Sequence, residues 1–417
     1  MPYEKVAALK KEKRFRPLKP CLAVRALLKA VSVPELKKVD FDCEKIGMEK
    51  LGSDEPALFL MNHSSFIDLK IAAAELYPRP FNIVCTSDGF VGKKNLMRAL
   101  GCIPTNKFIT DTALVKDLVY TVKELKSSVL MYPEASYSFD GTATPLPSSL
   151  GKLLKLLKVP VVMIKTRGAF ARDPLYNMLK LRDVKVSATM EYLLSSEDIA
   201  RLGADELSGI IKEQFVFDNF REQQQQGLLI SEDFRADGLN RVLYKCPCCG
   251  KEGEMKGIGT KLVCQSCGKS WQLTENGYLK AEAGDDLFTH VPDWYAWERS
   301  CVRKELEENT YLLDAEVDIY MMVNMKAIYK VGDGRLKHTR EGFELTGCNG
   351  LLHYTQSPAA SYSLYSDYYW YEIGDMISIG DNKALYYCFP KDGKDVVAKT
   401  RLAAEELYKL VNRKTNS

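Results

Sequence analysis

The chain has 417 residues, 46% of them hydrophobic and 27% charged, with a formal net charge of +3. That balance excludes a disordered chain and leaves apolar material for two to four globular domains. No stretch offers the about 18 consecutive apolar residues of a membrane span. The basic start lacks the apolar core and small-residue cleavage site of a signal peptide, so a cytoplasmic protein is expected.

Residues 1–50 are basic and amphipathic. Residues 1–40 hold eleven Lys and Arg against four Asp and Glu, a net of +7 that leaves −4 for the remainder. Leu18, Cys21, Leu22, Val24, Leu27, Leu28 and Val31 interleave with Lys19, Arg25 and Lys29. That pattern predicts a helix lying on an anionic membrane surface, peripheral on the inner face. A helix packed on the next domain with its lysines in water would give the same pattern.

Over residues 51–240, apolar runs at 57–61, 81–85, 129–132, 159–164 and 184–192 are predicted strands. Helical stretches separate them, 113–126 and 150–158 most clearly, and residues 195–240 are helical and polar. Such alternation predicts an α/β domain with a mostly parallel sheet flanked by helices.

The first predicted strand runs into Asn62-His-Ser-Ser-Phe-Ile-Asp68. His63 falls at the strand end and Asp68 about one turn into the following helix. There a carboxylate can hold one imidazole nitrogen and leave the other as a base for a hydroxyl. With four histidines in the chain, such a pairing is informative, although H-x₄-D by itself is a short pattern. Three further blocks follow in order: residues 88–107 ending in Pro-Thr-Asn-Lys107, then Tyr132-Pro-Glu-Ala-Ser-Tyr-Ser138, then Val159-Pro-Val-Val-Met-Ile164.

Across residues 45–195 this order and spacing resemble the lysophosphatidic acid acyltransferase family. The resemblance implies the glycerolipid acyltransferase fold. It also implies acyl transfer from acyl-CoA or acyl carrier protein to a lysophospholipid hydroxyl, most directly 1-acyl-glycerol-3-phosphate, without a cofactor for that step. His63 and Asp68 match the catalytic pair, and Glu134 matches the acceptor-site glutamate. Departures fall in the second and third blocks. Lys107 stands where the family has arginine, Ala135 where it has glycine, Ser136 where it has threonine, and Tyr137 where it has the arginine implicated in gripping phosphate. Lysine keeps the charge but loses the bidentate fork, and tyrosine keeps only a hydroxyl. Lys165 and Arg167, just past the fourth block, are alternative cations. Ser64 and Ser65 are expected to cap the helix rather than react.

Cys246, Cys249, Cys264 and Cys267 form two C-x₂-C pairs, each followed by glycine. Four thiolates at this spacing favour a closed tetrahedral Zn²⁺ site, and residues 241–280 resemble a zinc ribbon, with Cys248 as a spare. The other seven cysteines are scattered and expected to be reduced. Residues 300–417 are strand-rich, with a closing helix at 396–413. That pattern is similar to a pleckstrin-homology-type barrel. Of Tyr368, Tyr369, Trp370 and Tyr371, alternate residues are expected in the core.

Two other classes remain. An acyltransferase fold weakened in catalysis would serve as a lipid-binding protein. A zinc ribbon with a basic arm would bind nucleic acid, but residues 244–271 carry little basic excess and the four blocks would go unexplained, so no nucleic acid is expected.

Overall fold

A computed structural model describes residues 1–415 apart from Asp392 and Lys394. The first half forms one seven-stranded sheet from β1 (Asp42–Ile46), β2 (Leu58–Met61), β3 (Phe81–Thr86), β4 (Cys102–Thr105), β5 (Ser128–Met131), β6 (Val161–Arg167) and β7 (Ser187–Leu194). Their order is β1-β7-β6-β2-β5-β3-β4. Strands β2 to β6 run parallel, β7 runs antiparallel to β6, and β1 runs parallel to β7. This is the mostly parallel, helix-flanked sheet that the strand-helix alternation predicts.

Central strand β2 is buried on both faces, which is why it is apolar without alternation. Phe59 and Met61 join Leu36, Ile67, Ile71 and Ile164 on one side. Leu58 and Leu60 join Leu118, Val122, Leu154 and Ile211 on the other. Two strands escape the apolar-run criterion. β1 is an edge strand with four of five residues exposed, and β4 is a short edge strand containing Pro104, whose missing N–H an edge tolerates.

The N-terminal helix Leu22–Lys38 packs on the helix Ile67–Glu75, burying Ser32 and Leu36. It does not turn only lysines outward. Leu27 and Val31 are 61% and 60% exposed, and Leu22 is exposed beside them. No helix among the described residues is long and apolar enough to cross a membrane.

Short helices over Ser196–Arg201, Ala204–Gln214 and Asn219–Gln226 follow. Then come β8 (Met255–Ile258), β9 (Lys261–Cys264), β10 (Ser270–Leu273) and β11 (Leu279–Ala281), a small antiparallel sheet ordered β11-β10-β9-β8. A helix, Val291–Glu307, absent from the sequence-based expectations, packs Trp294 edge-on against Trp271 of β10.

The remaining strands are β12 (Leu313–Met322), β13 (Tyr329–Thr339), β14 (Gly342–Gly347), β15 (Leu352–Gln356), β16 (Tyr365–Trp370), β17 (Gly374–Gly380) and β18 (Leu385–Pro390). They pair antiparallel in the order β15-β14-β13-β12-β18-β17-β16, and the helix Val397–Thr415 closes the unit. In the aromatic run Tyr368 and Trp370 are buried, while Tyr369 and Tyr371 are exposed.

One hydrophobic cluster joins the three units. It runs from Phe139 and Phe170 in the first, through Leu262 and Trp271 in the small sheet, to Val317, Ile377 and Leu402 in the last. β16 and the final helix meet the segments that follow β3, β4 and β5, through Tyr365 on Asp88 and Lys107, Tyr368 on Phe139 and Arg401 on Tyr137.

Candidate active site

Strand β2 ends at Met61, and the next residue ties the turn down. The buried Asn62 accepts at Oδ1 from Thr166 N–H at 2.8 Å and donates to the Thr166 carbonyl at 3.3 Å, fixing the end of β2 to β6. His63 and Asp68 then meet, with Nδ1 3.2 Å from the Asp68 Oδ2. Asp68 sits fully buried in the first turn of the helix Ile67–Glu75. The same oxygen accepts from the N–H groups of Ser64 at 2.9 Å and Ser65 at 3.1 Å. An ionised carboxylate so placed assigns the imidazole proton to Nδ1 and leaves the Nε2 lone pair free.

The imidazole lies between two phenol rings, 4.1 Å from Tyr132 and 4.2 Å from Tyr137. Burial lowers the His63 pKa, outweighing the opposing pull of Asp68, and the charge of Lys107 lowers it further. The ring is therefore neutral near pH 7, as a base must be. Its side chain remains 21% exposed. Phe66, exposed at the start of the helix, contacts Tyr137 edge-on at 5.6 Å and marks the approach.

Ser65 accepts from Ile67 N–H at 3.2 Å and donates to Asp173, but neither serine is the helix cap expected from the sequence: Phe66 holds the N-cap position and the buried Ser64 hydroxyl makes no hydrogen bond among the described residues. Glu134 is fully buried and accepts from His63 N–H at 3.1 Å, Thr144 N–H at 2.8 Å and the Thr144 hydroxyl at 3.2 Å. Both oxygens are thus engaged in joining the turn after β2 to the third block. Ser136 is buried and donates to the Tyr137 carbonyl at 3.3 Å. Ala135, at the family's glycine position, has φ +57°, a left-handed conformation that costs a residue with a Cβ about 1–2 kcal/mol.

Lys107 reaches the same region, its Nζ 4.2 Å from the Tyr365 ring centroid of β16. Lys165 and Arg167 do not join it. Arg167 donates to Thr189 at 2.8 Å and pairs with Glu222 at 3.8 Å, and Lys165 lies in the field of Glu191 and Glu222. Neither forms a hydrogen bond or ion pair with His63, Tyr137 or Lys107 among the described residues. The β unit supplies neighbours no local pattern announces. Arg401 donates to the Tyr137 carbonyl at 3.3 Å, and the Tyr365 hydroxyl donates to the buried Asp88 at 2.8 Å. Sequence separations of 264 and 277 residues leave no local signal for either contact.

The four cysteines converge, with all four sulfurs within 4.8 Å of one another. Two turns of the same construction present them. Gly250 N–H donates to the Cys246 carbonyl and Gly268 N–H to the Cys264 carbonyl, each at 2.9 Å, and both glycines have φ +73°. Metal–thiolate bonds of about 2.3 Å place tetrahedral vertices about 3.8 Å apart. The Cys246–Cys267 and Cys249–Cys264 pairs stand at 3.8 and 3.7 Å. The group can hold a metal ion, and Cys248 lies outside it.

Burial pushes the Glu134 carboxyl up to about 7 and the Asp173 carboxyl up to about 6. A carboxyl whose folded pKa is raised holds its proton in the folded state after the unfolded chain has released it, so stability falls as pH rises through that interval. Unfolding free energy is expected to decline between about pH 5 and pH 7, and Glu134→Gln should flatten the upper part of that slope. Chemical denaturation across this range measures it. A variant that retains the full slope would show that Glu134 is not its source.

The family comparison agrees with the geometry. Residues 42–166 match the family described as Acyltransferase. No curated protein matches the chain. Among solved structures, the chain is similar to the 1-acyl-sn-glycerophosphate acyltransferase PlsC of Thermotoga maritima, at 13% identity and a TM-score of 0.34, over 46% of this chain and 81% of that one. Residues 42–166, the stretch that carries His63, Asp68 and the blocks after them, are thus similar to the acyltransferase family.

Proposed function

We propose that the domain transfers an acyl group from a thioester, acyl-CoA or acyl carrier protein, to a free hydroxyl of a lysophospholipid built on 1-acyl-glycerol-3-phosphate. The observation that carries this reading is the His63 imidazole, kept neutral by burial and oriented by Asp68 at a strand end within an acyltransferase-family domain. Nε2 takes the proton as the hydroxyl oxygen attacks the thioester carbonyl. The new C–O bond forms, the C–S bond breaks, and the departing thiolate recovers the proton. Asp68 stabilises the imidazolium between these steps, and base catalysis of this kind contributes about 10²–10⁴-fold. Positioning of the two substrates supplies much of the rest. Glu134 serves acceptor binding by holding the His63 turn against the third block.

The exposed Leu22, Leu27 and Val31, with Phe66 and Leu69 exposed on and beside the helix against which theirs packs, support peripheral attachment to an anionic membrane on its inner face. The +7 of residues 1–40 adds attraction that salt screens within about 8–10 Å. For the cysteine cluster we propose one structural Zn²⁺. Four thiolate ligands leave no open position for substrate, and the small sheet packs into the core shared with the β unit. That unit, with its seven antiparallel strands and closing helix, we take as a pleckstrin-homology-like domain.

Three outcomes are expected. His63→Ala should abolish acyl transfer to lysolipids in a folded protein, and Asp68→Ala should reduce it less, because Asp68 acts through the base. Near-native turnover of His63→Ala, followed by mass spectrometry of the lipid products, would refute the mechanism. Leu27→Gln with Val31→Gln should weaken co-sedimentation with anionic vesicles more than turnover of a short-chain soluble substrate. Equal binding of the native protein to neutral and anionic vesicles would count against a charged docking face. Cys264→Ser should release about one equivalent of zinc and lower the melting temperature, since binding energy at such sites is folding energy. Activity per folded molecule should persist, whereas folded but inactive protein rescued at once by zinc would make the ion catalytic.

A further inference from the structure

Two half-buried charges of opposite sign stand where the acyltransferase sheet meets the β unit, and neither forms an ion pair among the described residues. Lys107, just after β4, is held only by the face of Tyr365. Asp367 lies two residues further along β16, on the same strand face as Tyr365. It accepts only from the adjacent Tyr368 N–H at 3.0 Å. No hydrogen bond to Lys107 Nζ, and no ion pair of either residue, occurs among the described residues. Both flank the base. Lys107 acts on His63, and Asp367 acts on the Tyr137 hydroxyl, whose ring lies against His63 at 4.2 Å. Burial pushes the Asp367 carboxyl up to about 6 and lowers the Lys107 pKa; the two charges act on each other across a gap, without the ion-pair contact that would offset their desolvation in full.

Of the two cations at this place, Lys107 and Arg401, one is free of an ion pair among the described residues. Tyr137 removes the arginine of the third block. Arg401 does not replace it, because its guanidinium is 3% exposed, lies 4.4 Å from the Phe139 ring and faces Glu405 at 3.3 Å. A phosphate monoester carries close to two negative charges near neutral pH. A phosphodiester carries one, which a single lysine matches. Asp367 then remains, a carboxylate within the field of Lys107 that would repel a second anion and hold a cation.

We propose that Lys107 and Asp367 together select the acceptor's headgroup, a phosphodiester bearing an ammonium group, with the phosphate toward Lys107 and the ammonium toward Asp367. This rests on the lysophospholipid reading above and narrows it. The β unit becomes part of the acceptor site, and Asp367 is a specificity residue rather than a catalytic one.

The test is internal competition. Equal amounts of 1-oleoyl-lysophosphatidylethanolamine and 1-oleoyl-lysophosphatidic acid are offered in one mixed micelle, with oleoyl-CoA and separately with oleoyl acyl carrier protein as donor. The product ratio does not depend on how much of a variant folds. The native protein should favour the ethanolamine lipid by about tenfold, the scale of one charge-assisted contact. Asp367→Asn should bring the ratio close to one. Lys107→Gln should slow both reactions while leaving a preference for the amine. An unchanged ratio in Asp367→Asn, or a native preference for the monoester, overturns the headgroup assignment and leaves acyl transfer standing. No product from any lysolipid with either donor overturns the acyl-transfer reading and the assignment with it.

Discussion

A carboxylate with no access to water persists only where donors converge on it. Asp68 is such a group, and much of the site follows from satisfying its Oδ2, while its Oδ1 is buried without a hydrogen bond among the described residues. Two backbone N–H groups and an imidazole nitrogen meet one of its oxygens, and the first turn of a helix adds a favourable field. That convergence requires β2 to stop at Met61, the chain to turn within a few residues, and the helix to begin at Ile67. Asn62 and Glu134 hold the turn from outside, one to β6 and one to the loop after β5. The spacing of H-x₄-D is thus a folding constraint as much as a chemical one.

Burial does two opposite things within a few ångströms. It strips the proton from an imidazole and holds a proton on a carboxyl, because in each case the charged form is the one disfavoured. The result is a base free to accept a proton, beside a Glu134 whose hydrogen bonds are all internal. Aromatic rings supply the low-dielectric walls. Tyr132 and Tyr137 cover both faces of His63, so the substitution that removes the family's arginine also completes the packing around the base.

What the sequence discloses follows the range of the interactions involved. Buried parallel strands announce themselves as apolar runs, and β2, β3, β5 and β6 fall where such runs lie. Edge strands carry no such mark, so β1, with its exposed Asp42 and Glu44, and β4, with its proline, do not stand out. The cysteine pairs are legible because ligand spacing and the glycine turn are both local. Lys165 and Arg167 illustrate the limit. Their charge and proximity to the fourth block suggest the site, but Arg167 is engaged by partners on β7 and the helix Asn219–Gln226, and Lys165 lies in the field of Glu191 and Glu222. Asp367 and Arg401 lie beyond any local pattern, since their place beside the third block is set by how three units share one core.

That shared core bears on how the chain comes to its native state. Phe139 and Phe170 belong to the first unit, yet their packing partners include Tyr368, which follows more than two hundred residues later in the case of Phe139. During synthesis the sheet and its catalytic turn can form while this apolar face still lacks its cover. Until β16 and the helix Val397–Thr415 arrive, the face is open to other chains, the condition under which partly folded intermediates associate. A fragment cut at the limits of the family match would keep that exposure permanently. It would hold His63, Asp68 and Glu134, but would behave as a sticky intermediate rather than as a small enzyme.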